Sequence, residues 1–104
     1  MPAIKHHFVG ASGAQYLCER YDPTIHITMP AGRGIVVFTT GPDMAPHFFG
    51  ALAADDLARL FEYDALQALK AQHPKATLWF CLRADESRQT TEQVVADLYA
   101  ARRS

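Results

Sequence analysis

The hydrophobic and polar positions of the first 40 residues include several short runs with the patterns of β-strands. Ile4 to Val9 is rich in aromatic and β-branched residues and predicts a first strand. Thr24 to Met29 alternates cleanly, and Ile35 to Thr40 is a nearly continuous apolar run. Because the glycine-containing turn of residues 30–34 separates these two runs, they predict a β-hairpin.

After Thr40 the apolar residues change to helical spacing, which predicts two helices. The first helix starts with Asp43 as its N-cap and tolerates Pro46 in its first turn. Its apolar stripe consists of Ala45, Phe48, Phe49 and Leu52. The second helix runs from Asp55 to about Gln72 and ends at His73-Pro74. Its predicted buried residues are Leu57, Leu60, Phe61, Leu66 and Leu69.

The last third of the chain predicts a strand and a final helix. Thr77 to Leu82 is an apolar run too short for a helix, which indicates a central strand buried on both faces. Thr90 and Gln93 have the spacing of a capping box, so they predict the start of a helix that continues to Arg102.

The segment from Phe8 to Pro23 admits two interpretations. In the first, Ser12 caps a short helix, and the chain has the ferredoxin-like order β-α-β-β-α-β-α. In the second, Ala11 to Gly13 form the loop of a hairpin, and the order is β-β-β-β-α-β-α. We take the hairpin as the main prediction, because a helix this short is marginal on its own.

Either order predicts a single α+β domain over residues 1–104. We expect one four- to five-stranded, mainly antiparallel sheet with its helices on one face. The other face is then partly uncovered, with the polar side chains of Thr24, His26 and Thr28 along it. Open sheet faces of this kind serve as binding surfaces or as dimer interfaces.

Composition narrows the class of protein. Hydrophobic residues make up 49% of the chain and charged residues 20%, which is typical of a globular domain. The net charge of −1 provides no overall positive field for a nucleic-acid backbone or an anionic membrane. No apolar run approaches the roughly 20 residues that span a bilayer. Without a signal peptide either, the default expectation is a cytoplasmic protein.

No motif predicts a metal or a cofactor. The five histidines are scattered, and Cys18 and Cys81 form no C-x-x-C pair, so we expect both cysteines to be buried as small apolar residues. Gly10 to Ala14, G-A-S-G-A, resembles the first glycine loop of flavin-binding decarboxylase-type flavoproteins. That resemblance implies parallel α/β units after the loop, whereas the sequence next predicts a β-hairpin.

Nucleic-acid binding is the third-ranked hypothesis. The ferredoxin-like order is also that of RNA-recognition modules, and Arg33-Gly34 fits the opening of their motif on the third strand. Ile35 and Val37, however, occupy the positions where stacking aromatic rings are required.

The strongest candidate site is the segment Gly41 to Gly50. Its candidate contact residues, together with two on the predicted hairpin, are His26, Arg33, Met44, His47, Phe48 and Phe49. Methionine beside aromatic residues is typical of pocket walls and partner contacts. We therefore predict a small non-enzymatic binding or interaction domain that forms a homodimer. The alternative is a small-molecule enzyme with a pocket between the sheet and residues 41–50, where His26 or His47 would act.

Overall fold

The computed structural model describes residues 4–22, 31–42, 44–82 and 90–103. Within these residues the chain forms five strands, one 3₁₀ helix and two α-helices. In chain order they are β1 (Lys5–Val9), β2 (Gln15–Arg20), β3 (Gly34–Thr40), β4 (His47–Ala54), the 3₁₀ helix (Leu57–Glu62), α1 (Asp64–Gln72), β5 (Thr77–Leu82) and α2 (Thr91–Arg103).

The strands form one curled antiparallel sheet, a half-barrel with the order β1-β2-β5-β3-β4. This confirms the predicted α+β class and the predicted order of elements. The central position of β5 is also confirmed, and Leu78, Trp79 and Phe80 on it are buried. Among the described strands, β1 and β4 are at the two edges of the sheet, and the open side of the half-barrel lies between them.

The hairpin interpretation of the first quarter is confirmed. β1 pairs with β2, with Phe8 opposite Tyr16. Gly13 in the turn has a φ of 88°, a conformation that glycine adopts without steric cost. Burial alternates along β2, because Tyr16 and Cys18 are buried while Leu17 is exposed. This is the pattern of a strand and not the apolar stripe of a helix.

The helix predicted from Asp43 onward is wrong. Asp43 itself lies outside the described residues, and His47–Ala54 forms strand β4 instead. β4 pairs with β3 from His47 to Ala54 except at Phe49, and these backbone hydrogen bonds outweigh a helical pattern that Pro46 and Gly50 already weaken.

Phe49 is the extra residue of a β-bulge in this pairing. Phe38 pairs with Gly50 and Thr39 with Phe48, which leaves Phe49 without a partner on β3. β3 pairs with β4 on one side and with β5 on the other, so it is not the second strand of the hairpin that the sequence predicted. The strand predicted at Thr24 to Met29 lies outside the described residues.

The second predicted helix is divided at Tyr63 into the 3₁₀ helix and α1. Its N-cap is Asp56, whose carboxylate accepts hydrogen bonds from the N–H groups of Ala58 (3.1 Å) and Gly32 (3.0 Å). These bonds hold the pKa of Asp56 below its usual value. The helix ends before His73, as predicted. Of its predicted buried residues, Leu57, Leu60 and Leu66 are buried, Leu69 is half-buried and Phe61 is exposed.

The capping box of the last helix is confirmed. The Thr90 N–H donates to Oε1 of Gln93 over 2.9 Å, and the Gln93 N–H donates to Oγ1 of Thr90 over 3.2 Å. Two otherwise unsatisfied donors at the start of α2 are thereby paired.

Helical elements cover both faces of the sheet, where we expected helices on one face. Ile35 and Val37 of β3 belong to a cluster with Val94 and Leu98 of α2. Val36 and Phe38, whose side chains point to the other face of β3, belong to a second cluster under the 3₁₀ helix and α1. This cluster consists of Val36, Phe38, Ala54, Leu57, Leu60, Leu66, Leu78 and Phe80. The exposed apolar side chains on the sheet face opposite α2 include Leu17 of β2.

None of the helices in the described part of the chain is long and apolar enough to cross a bilayer.

Candidate functional site

A cavity of about 620 Å³ lies on the open side of the half-barrel, between the end of β1 and the start of β4. The C-terminal half of α2 and the residue after α1 complete its border. Its lining residues are Phe8, Val9, Thr40, His47, Phe48, Phe49, His73, Leu98, Ala101 and Arg102. This volume falls within the range of about 300–1,000 Å³ that is usual for small-molecule sites.

Asp97 joins α2 to the turn between β1 and β2. Its carboxylate accepts hydrogen bonds from the Ser12 hydroxyl (2.7 Å), the Ser12 N–H (2.9 Å) and the Tyr16 hydroxyl (2.7 Å). The Ser12 hydroxyl and then the Tyr16 hydroxyl lower the pKa of Asp97 below its usual value. Gly10 lies so close to this carboxylate that a Cβ at that position would overlap it.

Tyr99 and Arg102 join α2 to the opposite edge of the sheet. The Tyr99 hydroxyl accepts a hydrogen bond from the Ala51 N–H (3.1 Å) and donates one to the Ala51 carbonyl (3.2 Å). Nη1 of Arg102 donates to the Phe49 carbonyl over 2.7 Å. These contacts pair outward-facing backbone groups of β4 and hold the Arg102 guanidinium at the border of the cavity.

Half-buried aromatic rings from β4 form one wall of the cavity. The Phe48 ring meets the Tyr99 ring edge to face, with 5.6 Å between centroids. The Phe49 ring lies 4.1 Å from the His73 imidazole and 6.0 Å from the Phe38 ring, centroid to centroid. Phe48 and Phe49 pack against different neighbours, yet both rings line the cavity. The β-bulge at Phe49 lies at this point of β4.

The side chains that can carry charge at the cavity are all basic. They are His47, His73 and Arg102, and no carboxylate occurs among the described residues that line it. The whole chain has a net charge of −1, so the basic cavity differs in the sign of its charge from the protein as a whole. An arginine fixed at an apolar cavity is suited to binding a carboxylate or another oxyanion.

The structure brings together three of the six residues proposed from the sequence. His47, Phe48 and Phe49 line the cavity, whereas Met44 is 96% exposed and lies outside its lining. Arg33 lies just before β3, at the end of that strand opposite the cavity residue Thr40, and is 3.8 Å from the Asp55 carboxylate. His26 lies outside the described residues.

Several cavity residues have no feature in the sequence that predicts their position at a binding site. Phe8 belongs to the first predicted strand, His73 ends a helix, and Leu98 and Arg102 belong to the final helix. Only the curl of the sheet, which brings both edge strands to α2, unites residues so far apart in the chain.

Within the described part of the chain, no group of three or more His, Cys, Asp or Glu side chains is placed to hold a metal ion.

No family model, no curated protein and no solved structure matches this chain, so its function is inferred from the chemistry of the cavity.

Proposed function

We propose that this protein is a small binding domain whose ligand is an amphipathic anion, a small molecule with an apolar or aromatic body and one carboxylate or similar group. The observation that carries the proposal is the lining of the cavity, which combines aromatic walls with three basic side chains and includes no described carboxylate.

The apolar body of the ligand would lie against Phe8, Phe48 and Leu98. Phe8 and Leu98 are buried and belong to the core on the α2 side, and Phe48 packs against that core. Apolar side chains in a concave site bury most of a small ligand's surface, which is the main source of its affinity.

The anionic group would bind to Arg102. One guanidinium nitrogen of Arg102 already donates to the Phe49 carbonyl, which fixes the position of the side chain. A guanidinium carries five N–H donors, so donors remain for a carboxylate. His47 and His73 lie at the same cavity, and an imidazole adds positive charge when it is protonated.

A small-molecule enzyme is the second candidate, because two imidazoles line the same cavity and imidazole is the commonest general base. The described lining contains no cysteine, serine or carboxylate, and its one hydroxyl group belongs to Thr40, which pairs with His47 across β3 and β4. Chemical change of a bound ligand that is abolished in both His47→Gln and His73→Gln would favour the enzyme.

Calorimetric titration with 2-naphthoate and its neutral analogue 2-naphthylmethanol tests the binding proposal. We expect the carboxylate to bind about tenfold more tightly than the alcohol, a difference of about 1.4 kcal/mol. Arg102→Gln retains a side-chain donor for the Phe49 carbonyl but loses the charge, so it should abolish this preference.

Arg59→Gln is the matched control, because Arg59 is exposed on the 3₁₀ helix and paired with Glu62 at 3.3 Å. It should bind both compounds as the unmodified protein does. Equal affinity of the unmodified protein for the two compounds, or no binding of either, would refute an anion site at this cavity.

A further inference from the structure

Two cysteines that are far apart in the sequence lie on neighbouring strands, one position beyond the paired residues of those strands. β2 and β5 pair antiparallel, with Glu19 opposite Phe80 and Arg20 opposite Trp79. The next step of this register places Cys18 of β2 opposite Cys81 of β5. The sequence predicted only two separate buried cysteines, because the spacing of 63 residues between positions 18 and 81 carries no pattern.

The hydrogen-bond pattern shows what kind of pair this is. The Tyr21 N–H donates to the Leu78 carbonyl over 2.7 Å, so Tyr21 and Leu78 form a hydrogen-bonded pair. Such pairs alternate with non-hydrogen-bonded pairs along an antiparallel ladder, so the same register, extended by one position beyond Glu19 and Phe80, gives Cys18 and Cys81 a non-hydrogen-bonded position. Cα atoms in this kind of pair are about 4.5 Å apart, and their side chains are close.

The two thiols also contact each other. Both side chains belong to the α2 side of the sheet, where Cys18 is 1% exposed and Cys81 is half-buried against the same cluster. A hydrogen bond with the Cys81 side chain, followed by burial, raises the pKa of Cys18. A cavity of about 210 Å³ borders both cysteines and reaches the surface beside Leu82, which is exposed.

From this juxtaposition we propose that Cys18 and Cys81 are a redox site of the protein, whose thiols form a reversible disulfide that joins β2 to β5. The Cα separation of a non-hydrogen-bonded pair lies within the range of about 4.4–6.8 Å that disulfides require. The proposal does not depend on the ligand of the larger cavity.

The more accessible thiol reacts first with a small disulfide such as oxidised glutathione. The Cys81 thiolate attacks one sulfur, forms a mixed disulfide and releases one glutathione thiol. The Cys18 thiolate then attacks the Cys81 sulfur, forms the intramolecular disulfide and releases the second glutathione thiol. The two protein thiols are oxidised, the glutathione disulfide is reduced, and the two thiol protons end on the released thiols.

Intact-mass measurement of the full chain after incubation with oxidised glutathione tests the proposal. We expect the mass to fall by two hydrogen atoms, both cysteines to resist alkylation, and one peptide pair to link positions 18 and 81. Dithiothreitol should restore both thiols. Two alkylatable thiols after oxidation, a lasting glutathione adduct, or a link between two chains would overturn the proposal.

The two single-cysteine variants are expected to give opposite results in the same experiment. Cys18→Ala lacks the resolving thiol, so a glutathione adduct should accumulate on Cys81. Cys81→Ala leaves only the buried Cys18, which should stay unmodified under the same conditions. Modification of Cys18 at the rate of Cys81 would contradict the proposed order of attack. The mass of the unmodified protein decides the proposal even if a variant folds poorly.

Discussion

Among single residues, Asp97 connects two distant elements through its side chain. It accepts three hydrogen bonds from Ser12 and Tyr16, and its backbone carbonyl accepts a fourth from the Ala11 N–H at 3.1 Å. The carboxylate thus fastens α2 to the first hairpin. Hydrogen bonds to a charged acceptor contribute more than neutral ones, so this carboxylate contributes to the stability of the fold.

Asp97→Asn should lower the free energy of unfolding by about 1–2 kcal/mol, because the charge that strengthens three hydrogen bonds is removed. Urea denaturation measures the change. Glu62→Gln is the matched control: it neutralises an exposed ion pair with Arg59 and should change stability by less than about 0.5 kcal/mol. An equal effect of the two substitutions would refute the role of Asp97.

The same variant has a defined pH dependence. The folded-state pKa of Asp97 is below its ordinary value of 3.8, so its stabilising contribution is complete above pH 3.8 and is lost as the pH falls through the folded-state pKa. The stability difference between the unmodified protein and Asp97→Asn should therefore shrink in acid. A difference that is constant from neutral pH to acid would contradict this linkage.

At the scale of elements, β4 is an edge strand that a helix protects with side chains. Tyr99 pairs both backbone groups of Ala51, and Arg102 pairs the Phe49 carbonyl. Unpaired backbone N–H and carbonyl groups on an edge strand can form hydrogen bonds with another chain, and covering these groups prevents that pairing. β4 can therefore be an edge strand without presenting these backbone groups to other molecules.

Tyr99→Phe tests this protection, because it removes only the hydroxyl and retains the ring that packs on Phe48. We expect a loss of about 1–2 kcal/mol in stability, since the buried Ala51 N–H and carbonyl lose their partner. Hydrogen exchange should accelerate at the Ala51 amide more than at the Val37 amide of the inner strand β3. Equal acceleration at both amides would indicate a general loss of stability instead.

At the scale of the whole molecule, β3 connects the two halves of the core. Its alternate side chains belong to the cluster under α2 and to the cluster under the 3₁₀ helix and α1. Because one strand contributes to both, we expect the two faces to unfold together in a single transition. The homodimer predicted from the sequence is also a property of the whole molecule, and it stays a prediction.

Leu60→Ala tests this coupling from the face opposite α2. Leu60 is fully buried, so the substitution should cost about 2–5 kcal/mol. Trp79 lies in the cluster on the α2 side, and its fluorescence transition should shift to lower denaturant together with the circular dichroism transition. Leu17→Ala, at a side chain 45% exposed, should shift both transitions little. A Trp79 transition that does not move in Leu60→Ala would show that the faces unfold separately.

Patterns between neighbouring residues in the sequence correctly predicted the elements whose local preference matches their place in the fold. The capping box of Thr90 and Gln93, the apolar run Thr77–Leu82 and the α+β class are all confirmed by the structure. The first hairpin was the preferred of two interpretations because nine-residue helices are marginal alone, and its alternating burial confirms it. The candidate residues His47, Phe48 and Phe49 also came from the sequence, although on a helix that the chain does not form.

The class of fold, the central strand and the final helix follow from the sequence alone, because spacing and capping act between residues close together in the chain. The strand at His47–Ala54, in contrast, depends on a contact between distant residues, since its hydrogen-bond partner is β3. The cavity and the Cys18–Cys81 pair were decided in the same way. Both depend on which strands become neighbours and how the sheet curls, and such contacts between distant residues leave no periodic pattern along the chain.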